Sequence, residues 1–284
     1  MILSPASLTF WPSAIAVLAY GLASVLPEGQ GQPASTQSRR IWGALALAWL
    51  AHAVSIVLDT FSWNTAHPAA RFGFAPALSV TTWLVLAVYA IESHRLGLPA
   101  VRRALAWLAA ATVALSWAFP GQEHPGSGSP WAPLHWISGF ASYGLIGAAL
   151  MHAALMRLAE KQLRARPGSP AAKPISLGTP QALGMPLLRL ESLTLRFVAA
   201  GFAMLTLTLV LGIWSSNPWR WDHKSVFSVL SWLVFAILLV GRYQFGWRGR
   251  QAVRWLYAGS TLLLLAYVGS RFVMEVVLHR SATV

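Results

Sequence analysis

Eight long apolar stretches separated by polar ones dominate the chain. They run Ser7–Leu26, Ile41–Val57, Pro76–Ile91, Leu105–Phe119, Leu134–Leu158, Leu193–Trp214, Val226–Val240 and Trp255–Val277. A bilayer's hydrocarbon core takes roughly 20 apolar residues of α-helix, within a range of about 17–25. The third, fourth and seventh stretches fall just below the short end of that range. None alternates apolar and polar residues, which excludes strands as spanning elements. The pattern predicts an all-α, polytopic membrane protein with eight transmembrane helices. An even number of crossings puts both termini on one side.

Charge decides which side that is. The chain has 284 residues, only 10% of them charged, yet its formal net charge is +13. Sixteen of its 21 cations lie in or beside the connections that follow odd-numbered stretches: Arg39, Arg40, Arg95, Arg102, Arg103, Arg157, Lys161, Arg164, Arg166, Lys173, Arg189, Arg196, Arg242, Arg248, Arg250 and Arg254. The other side keeps Arg71, Arg220, Lys224, Arg271 and Arg280. Short cytoplasmic loops retain Lys and Arg, so the sixteen-cation side is cytoplasmic and both termini are extracytoplasmic. The positive charge thereby orients the protein, and no nucleic-acid partner is needed to account for it.

The first stretch lacks a basic leader and a cleavage site, and is expected to be a retained helix entering from outside. Residues 1–284 read as a single membrane domain of five helices, a flexible cytoplasmic linker at about 164–188, and three helices. That linker carries Pro167, Pro170, Pro174, Pro180 and Pro186 among Gly168, Gly178 and Gly184, which remove backbone donors and loosen the chain. No internal repeat suggests a transporter built from inverted halves. The turn Phe245-Gly-Trp-Arg-Gly-Arg250 reads as a topology signal that meets lipid headgroups.

Absence of cysteine excludes thiol–disulfide exchange and thiolate metal ligation. Chemistry must rest on imidazole, carboxylate, cationic and aromatic groups, and these gather in Trp214-Ser-Ser-Asn-Pro-Trp-Arg-Trp-Asp-His-Lys224 between the sixth and seventh stretches. So short a loop builds no domain, but it offers a flat aromatic platform with charged edges. The topology brings His135, at the outer end of the fifth helix, and His279, at the outer end of the eighth, to the same membrane surface. Imidazoles from two helices can reach an iron from opposite faces. Trp214, Trp219 and Trp221 can stack on a porphyrin, and Arg220 and Lys224 can pair with its propionates. Asp222 can orient an imidazole or a cation, and His223 adds a further ligand or a base. The candidate cargo is haem, held transiently or weakly, with His135 and His279 as the metal ligands.

Each residue also has a plainer reading. Interfacial tryptophan belongs to the aromatic belt, as Trp63, Trp131 and Trp136 do, and a histidine at a helix end is commonly just solvated. His52 differs, because it lies roughly 16 Å into the second helix at 1.5 Å per residue. A polar group at that depth must be paired, so it is either an inner haem-transit site or an interhelical hydrogen bond to a serine or threonine. His152 sits nearer the cytoplasmic end of the fifth helix, and His67, His94 and His124 are expected in loops.

Trp219-Arg-Trp-Asp-His-Lys224 resembles the Trp-x-Trp-Asp-Pro-Lys core of the tryptophan-rich motif in the cytochrome c assembly membrane-protein family, the haem handlers of the CcsA and CcmC type. Gly201-Phe202, Leu205-Thr-Leu-Thr-Leu209, Ser231-Trp-Leu-Val-Phe-Ala236 and Phe245-Gly-Trp-Arg-Gly-Arg250 are similar to that family too, most of all to its YpjD-like inner-membrane branch. The likeness extends loosely from His52 to His279. It implies an extracytoplasmic haem site in which His135 matches the histidine before the motif and His279 the one after it, and it implies an inner transit role for His52. Here the loop is cut short, His223 stands in place of the proline, and Ser225 replaces an acidic residue. A smaller platform offers a planar ligand less contact.

Two functions are compatible with these residues. One is a haem-handling accessory of cytochrome c biogenesis in a bacterial-type inner membrane, working with other assembly membrane proteins. It would not be an enzyme, since no nucleophile–base pair appears and no phosphate loop powers transport. The other is a structural or regulatory inner-membrane protein that keeps the fold without haem. Reporter fusions test the topology both share: those after Ala34 and within residues 168–184 should report cytoplasm, and one after Val284 the outer face. A cytoplasmic C-terminus would separate His279 from the tryptophan loop and dissolve the site.

Overall fold

The computed structural model describes residues 5–26, 34–60, 69–96, 99–125, 131–164, 187–215 and 221–278. Its helices are α1 (Pro5–Val25), α2 (Ala34–Thr60), α3 (Phe74–Leu96), α4 (Pro99–Ala118), α5 (Ala132–Arg164), α6 (Leu187–Ser215), α7 (His223–Phe245) and α8 (Arg250–Leu264). The last continues as a π-helical segment at Leu265–Gly269, an α-helical turn at Ser270–Phe272 and a second π-helical segment at Val273–Val277. Each apolar stretch falls in one of these helices to within a residue. Among the described residues six helices are long and apolar enough to cross a membrane: Arg39–Thr60, Phe74–Glu92, Ala132–Glu160, Leu188–Trp214, His223–Phe245 and Arg250–Val277. The apolar part of α1, Thr9–Val25, is shorter. Most of the expected cytoplasmic linker lies outside the described residues.

One element was not expected. Strands β1 (Ala69–Phe72) and β2 (Gln122–Pro125) pair antiparallel, with Ala69 opposite Pro125 and Phe72 opposite Gln122. The ribbon joins the approaches to two helices, where backbone leaving a helix still needs partners. Gly121 adopts φ +78°, and a Cβ there would stand 2.6 Å from the Phe72 carbonyl oxygen, so only glycine closes the ribbon. His124 lies in β2 and His94 in the last turn of α3, not in loops, while His67 is outside the described residues.

The chain forms two compact units. The first comprises Met1–Leu86, Ala100–Gly128 and Arg271–Val284. Its core is lined with small side chains: Ala16, Ala19 and Ala23 on α1, Ala48 on α2, and Ala106, Ala109 and Ala110 on α4. Small residues let helices approach closely where lipid removes the hydrophobic drive for association. Between them runs a buried polar seam. The His52 imidazole meets the Tyr20 hydroxyl through Nδ1 at 3.2 Å and the Ser79 hydroxyl through Nε2 at 2.8 Å. One turn away, Trp49 and Trp83 stack at 4.4 Å, and each indole N–H donates to the other's backbone carbonyl, at 3.2 and 3.1 Å. The Thr82 and Thr112 hydroxyls meet at 2.7 Å. Four helices are thus joined by side chains whose alternative partner would be hydrocarbon.

The second unit comprises Ala87–Pro99 and Ser129–Ser270. Here α5 packs along α6, and α7 along α8. Gly259 on α8 is a close-approach site, since a Cβ there would lie 2.7 Å from the Phe235 ring. The Ser231 hydroxyl donates to the Gly259 carbonyl in the same contact, at 2.9 Å. Trp232 stacks on Phe202 and donates to the Thr206 hydroxyl at 2.9 Å, tying α7 to α6. At the other end of that pair, Glu191 accepts from the Gly249 amide at 3.4 Å and lies 3.5 Å from Arg242, holding the arginine-rich turn.

Removing one partner of the His52 seam should leave a buried polar atom exposed to hydrocarbon. Interhelical bonds of this kind contribute about 0.6 kcal/mol on average and up to about 1.7 in membranes. Tyr20→Phe and Ser79→Ala should each lower stability by about 1 kcal/mol on that scale, read as a lower unfolding midpoint in detergent. Midpoints equal to wild type in both variants would remove the seam from the forces that hold this unit.

Candidate functional site

The site is built where α6 ends and α7 begins. Asp222 precedes α7 with extended backbone, φ −88° and ψ 170°, and its carboxylate accepts from the Ser225 amide at 2.7 Å. It is the N-cap that the helix's unpaired first amides require. Partial burial works to raise the Asp222 pKa, but the hydrogen bonds from Ser225 and the charge of Lys224 outweigh it and hold the carboxyl below its ordinary range. A lowered pKa means that the cap's contribution is complete above the ordinary carboxylate range and is lost as pH falls through the lowered value. The carboxylate expected to orient a ligand therefore starts a helix as well as acting on Lys224.

His223 and Lys224 occupy the first turn of α7 and are exposed. Cations there oppose the helix dipole, which favours negative charge at that end. Asp222 offsets part of that cost. Trp214, at the end of α6, is 78% exposed and Trp221, before α7, is 71% exposed, so two large aromatic faces stand open at this end of the unit.

His135 stands in the first turn of α5 and reaches across to α6, where its Nδ1 lies 3.0 Å from the Thr208 carbonyl oxygen. A carbonyl only accepts, so Nδ1 carries the proton and the neutral ring's lone pair is on Nε2. The contact is locked from both sides. The Thr208 hydroxyl donates to the Ser138 hydroxyl at 2.9 Å, and Ser138 donates to the His135 carbonyl at 3.0 Å. The charge of Lys224 acts on the His135 ring, and its Nζ lies over the Tyr267 ring, 5.9 Å from the centroid. Four helical elements thus contribute to one polar end: His135 from α5, Thr208 from α6, Lys224 from α7 and Tyr267 from the π-helical continuation of α8.

Of the residues picked out in the sequence, the structure brings His135 and Lys224 together and puts Trp221 and Asp222 beside Lys224 in the chain. Trp219, Arg220 and His279 lie outside the described residues. His52 belongs to the first unit, where both ring nitrogens have hydrogen-bond partners, so ligation there would require Tyr20 or Ser79 to let go. Among the described residues no group of three or more histidines, cysteines or carboxylates could cage a bare metal ion. A metal that arrives inside its own macrocycle needs only axial donors. Thr208, Ser138 and Tyr267 were not singled out as site residues. The signal for one of them was present, since Thr208 lies in the Leu205-Thr-Leu-Thr-Leu209 run.

A second buried histidine has a partner that the sequence did not reveal. His152 is fully buried under Phe197, with Nδ1 2.7 Å from the Ala148 carbonyl and Nε2 2.6 Å from a Glu92 carboxylate oxygen. The second contact needs a proton between nitrogen and oxygen, whichever of them carries it. Glu92 ends an apolar stretch in sequence, and nothing local pairs it with a residue sixty positions away.

The chain is similar to known proteins over part of its length. Inner membrane protein YpjD of Escherichia coli strain K12 is 38% identical over 95 residues, which cover 32% of this chain and 36% of that protein. Cytochrome c biogenesis protein CcsA of Prochlorococcus marinus strain MIT 9303 is 34% identical over 86 residues, 28% of this chain and 27% of that one. CcsA of strain MIT 9515 is 35% identical over 88 residues, 29% and 28% respectively. The matched region spans about a third or less of each curated relative. No solved structure matches. The profile described as Cytochrome C assembly protein matches residues 41–278, most of the chain and all of the site described above. The chain therefore belongs to the cytochrome c assembly protein family.

Proposed function

We propose that this chain handles haem for cytochrome c biogenesis in a bacterial inner membrane, crossing it eight times with both termini extracytoplasmic. Haem is its cargo, received and presented at the α6–α7 end in company with other assembly membrane proteins, and the chain itself carries out no covalent chemistry. Membership of the family and the likeness to CcsA and YpjD support the setting. The observation that carries the reading is His135. Its Nδ1 proton is held by the Thr208 carbonyl, which leaves Nε2 as the donor atom for iron, beside the charge of Lys224. Such second-layer bonds fix the tautomer and raise the basicity of histidine ligands.

The remaining groups have parts suited to the same cargo. Trp214 and Trp221 offer exposed faces for the macrocycle, Lys224 and Arg220 offer cations for its carboxylates, and His223 stands as a further base. His279 would be the second residue to hold the iron in this reading, and His52 would be an inner donor once its clasp opens. Haem supplies the iron; the protein supplies the imidazole, the cations and the aromatic faces.

Purified wild type and variants, loaded with haem in detergent, test this by their oxidised and reduced spectra. His135→Ala and His279→Ala should each change the spectrum, the double variant should lose most bound haem, and added imidazole should partly restore the single variants. Trp221→Ala should weaken binding by up to about tenfold, the scale of about 1 kcal/mol for one aromatic contact. Wild-type protein that takes up no haem under ample supply sinks the reading and favours a structural or regulatory role for the retained fold.

A further inference from the structure

Beyond Leu264, α8 stops being an α-helix. The segment Leu265–Gly269 makes wider π-helical turns, and the Ser270 amide beyond it reaches back to the Leu265 carbonyl, five residues earlier. The cause lies on α5. The Tyr143 hydroxyl donates to the carbonyl oxygen of Leu263, and its oxygen is also hydrogen-bonded by the backbone N–H of Tyr267. In an α-helix those two backbone groups would bond each other, since each N–H pairs with the carbonyl four residues before it. A side chain inserted into that ladder forces it open, and a wider turn is the known outcome. One extra residue in a turn rotates the rest of the helix by roughly 100°, the angle per residue of a helix.

Tyr267 sits inside this turn. Its ring is the surface over which the Lys224 ammonium lies, at 5.9 Å. A cation held over an aromatic face has a defined position that a free lysine lacks. The line of contacts therefore runs from the Tyr143 hydroxyl through the opened turn to the Tyr267 ring, and from there to Lys224, whose charge acts on His135. All of these residues belong to the second unit.

We propose that Tyr143 is a positioning residue of the site: by holding the π-turn open it keeps the Tyr267 ring beneath Lys224 and so fixes the cation that receives a carboxylate of an anionic porphyrin. The porphyrin part rests on the haem reading above, whereas the placement of Lys224 does not. Tyr143→Phe removes only the hydroxyl, after which the Leu263 carbonyl and Tyr267 amide can pair with each other. The turn then closes, Tyr267 rotates, and Lys224 loses its seat.

The chain has only three lysines, Lys161, Lys173 and Lys224, so ¹³C-methylated protein gives a readable NMR spectrum. The Lys224 signal, identified with Lys224→Arg, should be displaced by the ring current of Tyr267, and Tyr143→Phe should move it to its position in Tyr267→Leu. A Lys224 signal that Tyr143→Phe leaves in place overturns the proposal, whatever the protein binds. The second arm uses metal-free protoporphyrin, as the diacid and as its dimethyl ester, so that iron ligation plays no part. Tyr143→Phe should weaken the diacid by about tenfold, the scale of one hydrogen bond to a charged group, and leave the ester unchanged, as Lys224→Met should. Equal loss of both porphyrins would mean that Tyr143 merely supports the fold, and also overturns the proposal. Wild type that binds neither porphyrin counts against the haem reading, and the lysine signal still decides the role of Tyr143.

Discussion

A hydrogen-bonding group within hydrocarbon has no water to turn to, and most of the specific architecture here answers that constraint. Helices settle their own backbones, so what remains is the side chains, and several of these are joined across helix interfaces. Trp49 and Trp83 satisfy each other, Thr82 meets Thr112, and Ser231 reaches a carbonyl of the neighbouring helix. Apolar packing against lipid would be similar in many arrangements. The polar pairs are not interchangeable, and they choose among those arrangements.

Three histidines show how the same rule gives different chemistry. His52 lies between two hydroxyls, each able to donate or accept, so either tautomer is satisfied and the ring can exchange one for the other. His135 faces a carbonyl through Nδ1, which permits one tautomer and leaves Nε2 as the electron-pair donor. His152 faces a carbonyl through Nδ1 and a carboxyl oxygen through Nε2, and the second contact holds one proton between the two groups. A clasp between two hydroxyls, a carbonyl contact that fixes one tautomer and a proton-sharing pair thus arise from one residue type. The partner atom decides which.

Much of this was legible in the sequence. Apolar run lengths located the helices because backbone in lipid has few choices, and the Trp-Asp-His-Lys cluster stood out because so many polar groups beside a membrane are costly without a use. For His52 the sequence left two readings, a haem-transit site and an interhelical hydrogen bond to a serine or threonine, and Ser79 is a partner of the kind the second names. Sequence did not reveal that Tyr20 completes its clasp, since 32 residues separate the two rings and no periodicity links them. Nor did it reveal the ribbon, whose strands are four residues long, too short to leave a pattern. Asp222 was assigned to the ligand while its first task is to begin α7. The opened turn of α8 is the hardest to foresee, because its cause lies on another helix.

The length of α5 has a mechanical corollary. Its apolar window, Ala132–Glu160, holds 29 residues, or roughly 44 Å of helix at 1.5 Å per residue. Hydrocarbon is about 30 Å deep, and a typical tilt of about 20° shortens the excess by only a few ångströms. The rod is therefore longer than the hydrocarbon is deep, and polar headgroups rather than acyl tails must meet part of it.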